Sequence, residues 1–201
     1  MGITPQEFER MKNRLQAGPA AAVVAAESDA RARATLHQVI IGVDPSLRGT
    51  GFGVIRLDGP VATAMACGVI RCAPKLEHSR CLLRIVETLR EVVRAHSPTV
   101  CAMEALFYAQ NPQTALIMGA ARGAALFCMA EAGLEIYEIA PRKVKQAVVG
   151  YGAAQKIAVA TMVQRMLRLA EQPQSDAADA LAVALAHAQS QGGATTAAKR
   201  I

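Results

Sequence analysis

The sequence predicts an α/β fold: a five-stranded mixed sheet, with three antiparallel strands followed by parallel ones and helices on both faces. Three observations carry this expectation. Strand-like apolar runs follow one another early in the chain with only turn residues between them. A stretch with helical spacing then leads into a short apolar run that ends in an acid. Beyond residue 111, helix-like segments flank one further strand-like run.

The first strand, residues 38–44, is rich in β-branched side chains and stops at Asp44, before Pro45, which cannot donate to a sheet ladder. A Gly49-Thr50-Gly51 turn leads to a second strand over 51–57, and Asp58-Gly59-Pro60 leads to a third over 61–71. Connections this short make the three an antiparallel meander. Leu76, Leu82, Leu83, Ile85, Val86, Leu89, Val92 and Val93 recur at helical spacing until Ser97-Pro98, and the run from Thr99 to Glu104 follows as a strand. That crossover places the new strand parallel to the first. Residues 112–131 read as a helix rich in alanine and methionine, 135–139 as a short strand, and 153–169 and 175–189 as two more helices. Residues 37–190 form one domain on this reading and 191–201 a flexible tail. Residues 1–36 read as an appendage: a short capped helix from Thr4-Pro5-Gln6-Glu7, carrying Phe8, Met11 and Leu15 on one side, precedes a linker-like stretch rich in alanine.

Composition narrows the function classes. With 201 residues, 52% of them hydrophobic, the chain can bury one substantial core. A net charge of +6 and a pI near 9.3 suit a polyanionic partner. Arg142, Lys143, Lys145 and Lys156 crowd one stretch and Arg48 lies close to the first acid, so phosphate is the natural anion. Five cysteines without a C-x-x-C pair read as reduced thiols and argue against zinc or disulfide scaffolds. No basic start precedes a sustained apolar stretch, and no 18 apolar residues run without a charge, so a soluble cytoplasmic protein without a membrane partner is expected.

Four carboxylates then stand out. Asp44 and Glu104 each end an apolar strand, while Asp176 and Asp179, three apart behind Ser175, share one face of a helix start. Taken singly, each has a plain explanation as a turn former or a complement to the helix dipole. Gathered together they do not: two carboxylates about 4 Å apart repel by roughly 4 kcal/mol at an effective dielectric of about 20, and a cation reverses the sign. Oxygen ligands without a matching histidine or cysteine set favour Mg²⁺ or Mn²⁺ over zinc.

The segments from Ile41 to Ile55 (IGVDPSLRGTGFGVI), from Met103 to Phe107 (MEALF), from Val144 to Lys156 (VKQAVVGYGAAQK) and from Asp176 to Ala182 (DAADALA) together resemble the RuvC family of Holliday-junction resolvases. The likeness covers roughly residues 38 to 189. It implies a ribonuclease-H-like fold and a homodimer that nicks two strands of like polarity in a four-way DNA junction, in recombination and repair. It implies that Asp44, Glu104, Asp176 and Asp179 hold two Mg²⁺ ions, with Mn²⁺ a possible substitute, and that the products carry 5′-phosphate and 3′-hydroxyl ends. Phe107 takes the place of an aromatic that stacks on bases near the junction centre, and Lys145 and Lys156 match lysines near the scissile phosphate. Arg48, Arg142, Lys143 and Tyr151 are further candidate DNA contacts, and the branch-migration machinery of the same pathway is an expected partner. Where the family often carries Gly-Ser and a polar residue, this chain has Ser46-Leu47 and Ala105, so no cleavage sequence is carried over. Two alternatives stay open, a ribonuclease-H-like nuclease acting on RNA and a junction-binding protein without catalysis; Gly42-x-Asp44 with Thr50-Gly51-x-Gly53 could also cradle the phosphates of a nucleotide, but a second phosphate loop is not evident.

Overall fold

Alternation along the first strand sets the layout of the sheet. Val39–Asp44 (β1) turns Ile41 and Val43 into one core and Ile40 into the other, so Gly42 and Asp44 share the face of Ile40. Gly49–Asp58 (β2) pairs antiparallel with β1, and Val61–Arg71 (β3) antiparallel with β2. His78–His96 (α1) crosses over to Val100–Glu104 (β4), which runs parallel to β1 with Met103 opposite Val43. Pro112–Glu131 (α2) and Glu135–Ile139 (β5, parallel to β4) come next, then Pro141–Val149 (α3), Lys156–Met166 (α4), Ser175–Gln191 (α5) and Lys199–Arg200 (β6). The sheet order is β3-β2-β1-β4-β5-β6. This computed structural model describes residues 38–105, 111–191 and 198–201. The proposed appendage at 1–36, Phe107 and most of the tail lie outside those residues.

Two cores sandwich the sheet. On the Ile41–Val43 side, α1 buries Cys81, Ile85, Leu89 and Val92 at helical spacing, and α2 adds Ala121, Ala125, Cys128 and Met129. On the Ile40 side lie α3 with Val144 and Val148, α4 with Val159 and Val163, and α5. In α5 every residue from Ala177 to His187 is buried except Asp179. By length and composition α2 is apolar enough to cross a membrane, but Arg122 sits in its middle, tied to β4 and β5, and its other inward residues pack on the sheet. Cys72, Cys81, Cys101 and Cys128 are buried free thiols, and Cys67 is an exposed one.

Glycine lets α5 lie directly on the strands. A Cβ on Gly51 would stand 1.9 Å from the Asp176 carbonyl oxygen, and one on Gly42 would stand 2.0 Å from that of Ala180. On Gly53 it would meet the Leu181 side chain at 2.6 Å. Gly51 and Gly53 are two apart on β2 and so point to the same side, and Gly42 pairs with Gly53 across the ladder. The small side chains of α5, alanine at 177, 178, 180, 182, 184 and 186, complete the close fit.

Several expectations need correction. Gly49 and Thr50 form no turn; they are the first residues of β2, spaced to admit α5. Gly42, Gly51 and Gly53 are covered by that helix and cannot cradle a phosphate. The sheet has six strands and not five: β6 is a two-residue edge strand, held by backbone pairing to β5 and by an Arg200–Glu135 ion pair of 2.8 Å, with no apolar pattern to announce it. The chain also forms α3 in the basic stretch to which the sequence reading assigns no element, although Pro141 at its start, Val144 and Val148 one turn apart, and Gly150 beyond its end at φ 95° are ordinary helix signals. The helix expected over 153–169 is shorter, Lys156–Met166, and the last helix runs to Gln191.

Because the obstacle at Gly51 is backbone, Gly51→Ala is expected to cost upward of about 3 kcal/mol. Gly123→Ala, whose Cβ would meet nothing within 4 Å, should change stability by no more than about 1 kcal/mol. Urea unfolding of both variants measures the difference.

Candidate metal centre

β1 and β4 end side by side, and alternation turns Asp44 and Glu104 to the same face, the one covered by α5. The first turn of α5 meets the end of β2 next to β1, where a Cβ on Gly49 would stand 2.9 Å from Asp176 Oδ2. One carboxylate oxygen from each of Asp44, Asp176 and Asp179 therefore falls within 4.8 Å of the others. Glu104 adjoins them beside Asp44, and the two carboxyls act on each other's ionisation. Lys156, at the start of α4, reaches in with Nζ 3.0 Å from Asp179 Oδ2. Of the expected site residues, then, the four acids and Lys156 come together.

The electrostatics record the crowding. Burial, and after it the negative charge of Asp179, pushes the Asp44 carboxyl up to about 6. Burial and then the charge of Asp44 push Glu104 up to about 7. Lys156 counters both, and its own pKa rises mainly through the hydrogen bond to Asp179. With its side chain 71% exposed, that ammonium is a weak substitute for a charge inside the cluster.

Supporting contacts fix the surrounding loops. Fully buried Thr50 donates its hydroxyl to Ser46 O at 2.5 Å and accepts from Ser46 N at 3.2 Å, bracing the turn that follows Asp44. Arg71 Nη2 donates to Gln174 Oε1 at 2.7 Å, tying β3 to the residue before α5. Arg48 donates to the carbonyls of Ala73 at 2.6 Å and Leu76 at 2.8 Å, so its guanidinium braces the loop before α1. Arg142 lays its stem against Gly152, where a Cβ would stand 2.7 Å from Arg142 Cγ, and Tyr151 beside it is exposed. Lys143 and Lys145 are half-buried on α3. Phe107 lies outside the described residues. Sequence reasoning passed over Thr50, Gln174 and Arg122; only Arg122 left a signal, as a charge inside an alanine-rich helix.

An all-oxygen set of closely spaced acids, two of them held above the usual carboxylate range by burial and mutual repulsion, fits a hard divalent cation. The model of the family described as crossover junction endodeoxyribonuclease RuvC matches residues 40–187. The chain belongs to the RuvC family. The RuvC of Acinetobacter baumannii ATCC 17978 is 46% identical over 154 residues, covering 77% of this chain and 84% of that one. That of Akkermansia muciniphila is 45% identical over 148 residues, covering 74% and 89%. Among solved structures, T. thermophilus RuvC in complex with Holliday junction substrate superposes with a TM-score of 0.75 at 36% identity, covering 82% of this chain and all of that one. The yeast mitochondrial Holliday junction resolvase Ydc2, at 12% identity and a TM-score of 0.55 over 76% of this chain and 78% of that one, shares the fold. The match to RuvC spans all four acids, and family membership carries with it divalent-metal chemistry at an acidic centre.

Raised acid pKa values give the pH dependence a definite sign. Between about pH 4, where unfolded carboxyls ionise, and pH 6 to 7, the folded metal-free protein keeps protons on Asp44 and Glu104 that the unfolded chain has released. This site therefore costs stability as pH rises through that window, and the cost is complete above it. Glu104→Gln in EDTA should raise stability by about 2 kcal/mol at pH 8 and by much less at pH 4.5. Urea unfolding at the two pH values reads the difference.

Proposed function

We propose that this protein resolves four-way DNA junctions as a metal-dependent endonuclease of recombination and repair. It nicks two strands of like polarity to leave 5′-phosphate and 3′-hydroxyl ends. The observation that carries the proposal is the meeting of Asp44, Asp176 and Asp179 oxygens within 4.8 Å in a RuvC-family chain, with Glu104 on the adjacent strand end beside Asp44. These four residues would hold two Mg²⁺, or Mn²⁺ in their place. When bound, the cations supply a water able to ionise near neutral pH and positive charge for the departing 3′ oxygen.

The chain's own groups do the rest. Asp44 and Glu104, fixed on adjacent strand ends, and Asp176 with Asp179, fixed on α5, set the position at which a phosphodiester is held. Lys156 neutralises charge beside Asp179 and is placed to meet the phosphate there. Lys145, Arg142 and Lys143 on α3, with Tyr151 on the following loop, contact the DNA backbone. Phe107 stacks on a base near the junction centre, a contact worth about 1 to 3 kcal/mol. Arg48, committed to its loop carbonyls, acts structurally.

A junction presents two equivalent strands, so a protein with one such centre works on both as an isologous dimer. The outer face of α2 supports this: among the described residues, Leu116 (75% exposed), Ala120, Gly123 and Phe127 (56% exposed) fall on one exposed helical face, with Arg90 reaching over the Phe127 ring. Junction DNA, a second copy of the chain and the branch-migration machinery are the partners this role requires, in the cytoplasm. A non-catalytic binder would gain nothing from clustering acids where phosphates arrive.

With Mg²⁺ the purified protein is expected to cut a synthetic four-way junction in preference to linear duplex of the same sequence. Asp44→Asn should bind the junction and fail to cut it. Equal cutting of both substrates, or normal cutting by the variant, would count against the proposal.

A further inference from the structure

Glu104 is the last residue of β4, and its backbone is secured unevenly. Toward β5 the ladder runs through it: Glu104 is opposite Ile139, and Ala105 N donates to Ile139 O at 2.9 Å. Toward β1 the pairing stops one residue short, at Met103 opposite Val43. The Glu104 carbonyl is met instead by α2, where Arg122, 7% exposed, donates from Nη1 at 2.6 Å. Nη2 of the same guanidinium donates to Glu138 Oε1 at 2.5 Å. One planar group thus bridges a main-chain oxygen of β4 and a side chain of β5. With both acceptors fixed, the fork has a single orientation.

We propose that Arg122 is a positioning residue for Glu104, holding the end of β4 so that the carboxylate faces Asp44 in the geometry a divalent cation requires. This inference rests on the metal reading of the acid cluster. The guanidinium acts through the carbonyl of Glu104, the residue whose side chain would meet the metal. Without that donor the carbonyl loses its partner, the strand end is free to twist, and the carboxylate moves with it. Groups that orient metal ligands from behind typically govern affinity by about 10- to 100-fold.

Arg122→Lys keeps a positive charge but cannot hold the two acceptors through two nitrogens of one rigid plane. Glu138→Gln removes the ion pair and leaves the donor to Glu104 in place. Titration of Mn²⁺ followed by electron paramagnetic resonance is expected to show affinity weakened about 10-fold or more in Arg122→Lys and by less than about 3-fold in Glu138→Gln. Unchanged affinity in folded Arg122→Lys, or equal losses in both variants, would overturn the inference. Should Arg122→Lys not fold, the wild-type protein decides: the Arg122 guanidinium ¹⁵N resonances should shift during Mg²⁺ titration with the midpoint of metal binding, and resonances that stay still would overturn it. Wild-type protein that binds no Mn²⁺ overturns the metal reading and this inference together, whereas wild-type binding with unchanged Arg122→Lys overturns this inference alone.

Discussion

The contact between α5 and the glycines of β1 and β2 is the constraint on which the rest depends. A helix normally packs on a sheet across a layer of side chains. Here that layer is missing at Gly42, Gly51 and Gly53: helix backbone occupies the space where Cβ atoms of Gly42 and Gly51 would stand, and the Leu181 side chain fills that at Gly53. Close approach carries Asp176 and Asp179 down to the level of Asp44, which could not happen with the helix one side-chain layer higher. The same contact explains why α5 is so rich in alanine and so thoroughly buried. Sheet order completes the arrangement, because only a parallel β4 beside β1 brings a second acid to the same end of the sheet.

Gathering the acids works against folding, and the protein offsets this only in part. Lys156 supplies one exposed positive charge, and the helix start offers the favourable end of its dipole to Asp176. Asp44 and Glu104 still hold their protons to unusually high pH. An arrangement that destabilises the empty protein and is relieved by a cation marks a site shaped for binding. Around it the bracing is neutral or oppositely charged: Thr50 behind Asp44, Arg122 behind Glu104, and Gln174 with Arg71 ahead of α5.

Much of this was legible in the sequence because the informative signals were local. The run ending at Asp44, the helical spacing from Leu76 to Val93 and the strand ending at Glu104 each state their element and its polarity, and short connections state the pairing. The acid quartet was visible as a pattern, and motif resemblance joined its parts. Contacts between distant segments left weaker traces. Gly49 and Gly51 look the same whether they make a turn or admit a helix, and only the position of α5 distinguishes the two. Arg48 looked like a phosphate ligand because it lies near Asp44 in sequence, yet its guanidinium is directed to the loop before α1. The helix α3 was hidden by its basic residues, which drew attention from Val144 and Val148, and β6 is too short to have a pattern.

The close contact of α5 with the glycines, together with a parallel β4 beside β1, assembles four carboxylates into a cation site. Anomalous scattering from crystals grown with Mn²⁺ tests it most directly. Anomalous density is expected between Asp44, Glu104 and the first turn of α5, with Asp176 and Asp179 both contributing ligands. Manganese held elsewhere, or a well-ordered acid cluster with no manganese at saturating concentration, would contradict it.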